Sequence, residues 1–318
     1  MRALEFDGQI KYRADYPDPA AGGGESIVRV RLAGICGTDL ELTRGYMAFR
    51  GVPGHEFVGE VVASWNRAML GRRVVGEINA GCGRASCRWC RGAMSRHCPD
   101  RTVLGIIGRD GAFAEFLKLP DGNLIAIPDS IADALAVFIE PLAAAYEIFD
   151  QTHLARDRAI AVLGDGRLGA TVALALNAED HRPVVLGRHR EKLDRLAALG
   201  LETRAQADEK GRFAVVIDCT GKSAGFGRAI ELVEPRGTII LKSTAAAGAE
   251  LNLAPIVINE ITVVGSRCGR FAPAVAAMEA GKIDLRPLID GEFPLDDWRS
   301  AFAAAANSAA FKILLRPS

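Results

Sequence analysis

The stretch that most narrows the possible fold runs from Ala159 to Leu176. Ala159-Ile160-Ala161-Val162-Leu163 is a short apolar run, the pattern of a strand buried on both faces. Gly164-Asp165-Gly166-Arg167-Leu168-Gly169 follows without a gap, and Ala170 to Leu176 then reads as helix. This is G-x-G-x-x-G in a strand–turn–helix context. Gly164 permits the turn, Gly166 lets a pyrophosphate approach the backbone, and Gly169 packs helix on strand. Leu168, inside the turn, is a further candidate contact. Phosphate would meet the helix N-terminus. The alternation continues with predicted strands at 183–186, 215–218, 237–241 and 261–265, and a helix over 191–199 closed by Gly200. Such a series implies a doubly wound parallel sheet, so the fold class is α/β.

The flanking chain has a different period. Ile27-Val28-Arg29-Val30-Arg31-Leu32 alternates apolar and polar, as a half-buried strand does. Strand-like runs recur at 57–63, 73–78, 113–119 and 123–127. Pro141 opens a helix over 141–150 that would link two domains. At 318 residues the chain has room for two. We assign 1–140 and 272–318 to a β-rich domain and 141–271 to the dinucleotide-binding one.

Lys plus Arg and Asp plus Glu both total 39, which gives no reason to invoke nucleic acid or an anionic membrane. No apolar run reaches the roughly 18 residues of a membrane span. The first seven residues carry acids where a signal peptide needs an apolar stretch. A cytoplasmic protein is expected. Seven cysteines there suggest metal or chemistry rather than disulfides.

Two cysteine arrangements fit metals. Cys36 stands in Gly34-Ile35-Cys36-Gly37-Thr38-Asp39, and 19 residues later His55 and Glu56 stand in Pro53-Gly54-His55-Glu56. A thiolate, an imidazole and a carboxylate suit a catalytic zinc that keeps one position open. Cys82, Cys87, Cys90 and Cys98 form C-x4-C-x2-C-x7-C, able to close a tetrahedral structural site. The alternative is four reduced thiols without metal.

Together these motifs resemble the zinc-dependent medium-chain dehydrogenases, nearest their polyol and threonine branch. The resemblance recurs along nearly the whole chain. It implies a GroES-like catalytic domain beside a Rossmann domain, and an alcohol or polyol dehydrogenase using zinc and a nicotinamide cofactor. It makes Glu140, in Ile139-Glu140-Pro141, the remaining protein ligand, and allows Glu56 to ligate directly or alternate with water. Thr38 would relay the substrate proton. Glu41 falls where many relatives have a relay histidine; it would accept that proton or simply be solvated. Asp39 would orient His55. Thr220 and Gly221 would lie beside the adenosine, Leu241, Ser266 and Arg267 near the nicotinamide, and Lys312 at the pyrophosphate. The family's usual lobe is C-x2-C-x2-C-x7-C, so two extra residues near Ala85-Ser86 put Cys82 in question and leave His97 as a substitute. A homodimer through the edge strand near 261–264, or a homotetramer, is implied, and small-molecule alcohol or carbonyl substrates are the expected partners.

The preferred cofactor is read from the residues. An NAD site places an acid after the second strand, about 20 residues beyond the fingerprint. Gly187 occupies that place, followed by Arg188, with Lys192 a helical turn on. A guanidinium suits a 2′-phosphate, so NADP(H) is expected over NAD(H). Two rival readings are a zinc-free quinone or enone reductase on the same fold and a non-catalytic zinc-binding or redox-sensing relative.

Overall fold

A computed structural model describes residues 1–244 and 250–317. The chain divides into two compact units, Met1–Glu140 with Asp284–Ser318, and Pro141–Ile283. The return therefore falls at Asp284, not at residue 272. The helix Phe271–Glu279 belongs to the second unit, where Arg270 at its start pairs with Asp150 at 2.8 Å.

In the first unit a seven-stranded sheet runs in the order Ile289–Pro294, Lys312–Arg316, Glu25–Ile35, Glu56–Ser64, Arg73–Gly76, Leu124–Ala126, with Phe116–Pro120 also on Glu25–Ile35. All pairings are antiparallel except the first, so the sheet is β-rich and mixed. Glu25–Ile35 alternates as its sequence predicts, burying Val28, Val30 and Leu32. Its last four residues are all buried. The strand therefore dives into the core just before Cys36. Phe113, Phe138, Phe311, Leu117 and Leu119 are among the large side chains fully buried in this unit.

The second unit carries a six-stranded, wholly parallel sheet. Its order is Glu202–Ala205, Val184–Gly187, Ile160–Leu163, Phe213–Asp218, Val233–Leu241, Thr262–Gly265. The chain winds outward from Ile160–Leu163 in one direction, then returns and winds in the other. That reversal leaves a crevice at the carboxyl ends of Ile160–Leu163 and Phe213–Asp218, the place where such sheets bind ligands. Ala161, Leu163, Leu186, Val216 and Ile239 form the buried centre. The fingerprint helix spans Arg167–Ala178 and buries eight consecutive residues from Gly169 to Leu176. Among the described residues no helix is long and apolar enough to cross a membrane.

Candidate functional site

Two antiparallel strands of the first unit deliver the candidate metal residues. Glu25–Ile35 ends at Cys36, which caps the helix Gly37–Leu42, and Glu56–Ser64 begins directly after His55. Gly34 lies opposite Glu56 in register, so the end of one strand meets the start of the other. Gly54 turns at φ +98°, and a Cβ there would strike the Phe113 ring at 2.5 Å. Ligand atoms of Cys36, His55 and Glu56 all lie within 4.8 Å of one another. A soft thiolate, an imidazole and a carboxylate in that space fit a zinc ion.

Buried groups around this cluster are oriented by charge. His55 Nδ1 lies 3.3 Å from Asp39 Oδ1, and both side chains are almost wholly buried. Burial works against a charged imidazole, but Asp39 and the Cys36 thiolate outweigh it and hold His55 well above its ordinary range. Asp39 also accepts from the Cys36 amide at 2.8 Å. One carboxylate thus fixes the two neighbours of the site. Thr38 Oγ1 stands 3.9 Å from Cys36 Sγ. Glu140 is outside the tight group. It is close enough to sense it, because burial pushes its carboxyl up to about 7, with His55 drawing it down and Glu56 pushing it further up.

The second cluster also assembles. Cys82, Cys87, Cys90 and Cys98 bring their sulfurs within 4.8 Å of one another. Cys82 is included despite the longer first gap. A turn closed by the Cys87 amide on the Arg84 carbonyl, 3.0 Å, carries the extra residues outward at Ala85 and Ser86. His97 is exposed and outside the cluster. The Cys87 thiol is pulled down to about 7, chiefly by a hydrogen bond from the backbone of Cys90.

In the second unit the fingerprint turn sits at the switch point. The Gly164 amide donates to the Leu186 carbonyl at 2.8 Å, and a Cβ on Gly169 would run into the Gly164 carbonyl oxygen. Gly166 caps the helix and has open space before it, while Leu168 is partly buried. Thr220 and Gly221 follow Phe213–Asp218; the Thr220 hydroxyl donates to Asp218 at 2.7 Å and the Gly221 amide donates to Ser243 Oγ at 2.8 Å. Leu241 ends the next strand.

Residues 22–129 match the model of the alcohol dehydrogenase GroES-like domain, and residues 166–280 match that of the zinc-binding dehydrogenases. The chain belongs to the zinc-type medium-chain alcohol dehydrogenases. It is similar to the L-threonine 3-dehydrogenase of Chelativorans sp. strain BNC1, 29% identical over 94% of this chain and 93% of that protein. A short chain alcohol dehydrogenase from E. coli CFT073, complexed with NADH, has a TM-score of 0.89 at 26% identity, covering 99% of both chains. A structure from Sinorhizobium meliloti 1021 bound to NADP has a TM-score of 0.88 at 25% identity, again covering 99% of both. This medium-chain dehydrogenase is therefore an enzyme, an oxidoreductase of the alcohol type.

Several expectations meet different surroundings in this dehydrogenase. Lys312 was expected at the pyrophosphate. Instead its ammonium is buried in the first unit, paired with Glu56 and 5.3 Å from the centre of the Phe138 ring. Lys192 was expected to add to the field at a phosphate, but it is only 5% exposed. The Ser266 hydroxyl is buried and accepts from Lys242 Nζ at 3.0 Å, and the Arg267 carbonyl accepts from the same ammonium at 2.9 Å. Glu41 is half exposed and paired with Arg44 at 2.6 Å, the solvated alternative. Two acting residues escaped the sequence reading. Lys242 ties Ser266 and Arg267 to the Ala144 carbonyl, and an isolated lysine gives no signal of that. Asp165 engages the turn after the second strand, and its only sequence signal is a carboxylate inside a phosphate-binding fingerprint.

Proposed function

We propose that this dehydrogenase is zinc-dependent and moves a hydride between a small alcohol or polyol, or its carbonyl form, and a nicotinamide cofactor, NADP(H) over NAD(H). The observation that carries the zinc reading is the convergence of Cys36, His55 and Glu56 within 4.8 Å. A zinc-free reductase would have no use for that set. Zinc held there supplies Lewis-acid polarisation of a substrate oxygen. The nicotinamide supplies the hydride chemistry. Cys36 and His55 are the principal ligands, Glu56 the third, and Glu140 a carboxylate near enough to exchange with it. Asp39 holds the His55 ring in one orientation, as a carboxylate behind a ligating imidazole does. Thr38 accepts the substrate's hydroxyl proton while donating its own, as a hydroxyl does without changing charge. Lys312 neutralises Glu56 in the buried site.

Gly164, Gly166, Leu168 and Gly169 cradle the cofactor phosphates, with Thr220, Gly221 and Leu241 along the crevice. The NADP(H) preference is supported by Gly187 at the strand end and by Arg188, which is exposed and forms no ion pair among the described residues. Cys82, Cys87, Cys90 and Cys98 hold a second, structural zinc. None of the seven cysteines is in a disulfide, in keeping with the cytoplasm. The enzyme acts as a homodimer or homotetramer.

Elemental analysis with steady-state kinetics tests this reading. Wild type is expected to carry two zinc ions per chain, and Cys36→Ala to carry one, keep its fold and lose turnover on an alcohol panel. Unchanged zinc in Cys36→Ala would remove the catalytic assignment, and one zinc in wild type would remove the structural one. A wild type that prefers NADH would remove the cofactor assignment.

A further inference from the structure

The turn after the second strand of the parallel sheet is built around a carboxylate that comes from elsewhere. Asp165, in the fingerprint, is only 6% exposed. Its Oδ2 accepts from the Arg188 amide at 2.7 Å and from the His189 amide at 2.7 Å. His189 Nδ1 lies 3.0 Å from Oδ1 and 3.1 Å from Oδ2. These donors outweigh the effect of burial, which alone would raise it, and hold the carboxyl below its ordinary range.

Two consequences follow. Position 187 is closed to any side chain, because a Cβ there would lie 2.5 Å from Asp165 Oδ2, 2.6 Å from its Cβ and 2.7 Å from Leu193 Cδ2. An acid at the strand end, the group that binds ribose hydroxyls in an NAD site, is therefore excluded by Asp165 itself. The amides of the turn are also consumed, so an anion arriving there must be met by side chains. Arg188 is exposed, and the His189 side chain is 46% exposed. With Nδ1 directed at a carboxylate, the nitrogen His189 offers to a ligand is Nε2.

We infer that Asp165 and His189 form the cofactor-discriminating device of this chain: Asp165 keeps a ribose-binding acid out of position 187 and holds His189 beside Arg188 as a second side-chain ligand for the 2′-phosphate. The inference rests on the proposed NADP(H) preference. Asp165 acts through the turn and is a positioning residue, while His189 is the contacting one. Arg190 is not recruited, being paired with Asp194 at 2.8 Å.

Calorimetric titration of the full chain with adenosine 2′,5′-bisphosphate and with 5′-AMP isolates this site from the metal and the substrate. Wild type should bind the bisphosphate more tightly. His189→Ala should cut that preference about 10-fold, the worth of one charge-assisted hydrogen bond, and leave the 5′-AMP affinity unchanged. Asp165→Asn should reduce the preference in the same direction; a purely structural role would weaken both ligands together and leave their ratio alone. Gly187→Asp should lower the melting temperature, and Asp165→Gly should relieve that loss; additive losses would overturn the exclusion. If Arg188→Ala lowers the ratio and His189→Ala does not, this inference fails and the NADP(H) reading stands. A wild type indifferent to the 2′-phosphate would take both down.

Discussion

Lys312 and Glu56 lie 256 residues apart in sequence and form a buried pair, with side chains 3% and 1% exposed. Taking two charges out of water costs several kcal/mol per ion, so a pair like this holds only while both members are present. Glu56 has further reason to need its partner, since the buried Glu140 carboxyl is close enough for the two like charges to repel. In zinc-free protein, Lys312→Met is therefore expected to destabilise the fold by about 3–5 kcal/mol by leaving a buried carboxylate uncompensated. Arg316→Ala, which breaks the neighbouring exposed pair with Glu292, should cost less than about 1 kcal/mol. Denaturant unfolding of the two variants side by side measures the difference, and equal midpoints would mean that Glu56 does not depend on Lys312. No local pattern around Phe311-Lys312-Ile313 announces this pairing. The sequence sees a lysine in an apolar strand, and the family pattern points it at a phosphate. Only the pairing of Lys312–Arg316 with Glu25–Ile35, and of that strand with Glu56–Ser64, brings the two charges together.

Elements differ in how plainly they are written in sequence. Ile160–Leu163 with its fingerprint is legible because a wholly apolar strand, a glycine turn and a helix fix one another within about a dozen residues. Glu202–Ala205 is not: Glu-Thr-Arg-Ala on a sheet edge buries too little to show a pattern, and only its pairing with Val184–Gly187 makes it a strand. The residues of the catalytic cluster were legible as types. Cys36, His55 and Glu56 already stood together there as a ligand set, whereas the position of Glu140 outside the tight group was not legible, because side-chain reach is set by packing. The other edge of the same sheet raises a question of partners. Thr262–Gly265 is an exposed edge strand, and before it the helix Ala254–Ile258 leaves Val257 78% and Ile258 76% exposed, with Leu253 at 54%. A bare strand edge beside apolar side chains is a template for pairing with another chain. A second copy of this chain is the occupant proposed above. Light scattering on Ile258→Asp should then report a smaller particle than wild type, with the alternation of strands and helices unchanged by circular dichroism. An unaltered mass would mean that assembly uses another face.

At the scale of the molecule, chemistry is divided between the two units. Cys36, His55, Glu56, Glu140 and the four lobe cysteines all belong to the unit Met1–Glu140 with Asp284–Ser318. The fingerprint, Asp165, Arg188, His189, Thr220 and Leu241 all belong to Pro141–Ile283. Each unit has its own sheet, and the parallel sheet is closed around its own apolar centre. A group that binds one unit should therefore stabilise that unit by mass action and leave the intrinsic affinity of the other largely intact. Brief treatment with a strong chelator is expected to abolish turnover, because the Cys36 cluster loses its ion. The same sample should still quench NADPH fluorescence with a dissociation constant within about 3-fold of the untreated enzyme, a change below roughly 0.7 kcal/mol. Its melting curve should fall, since metal bound to the four lobe thiolates contributes folding free energy directly. Added zinc should restore both turnover and melting temperature. Loss of NADPH binding in step with zinc would mean that the nucleotide site depends on the metal-bearing unit, and the division of labour argued from the separate main sheets of the two units would have to be given up.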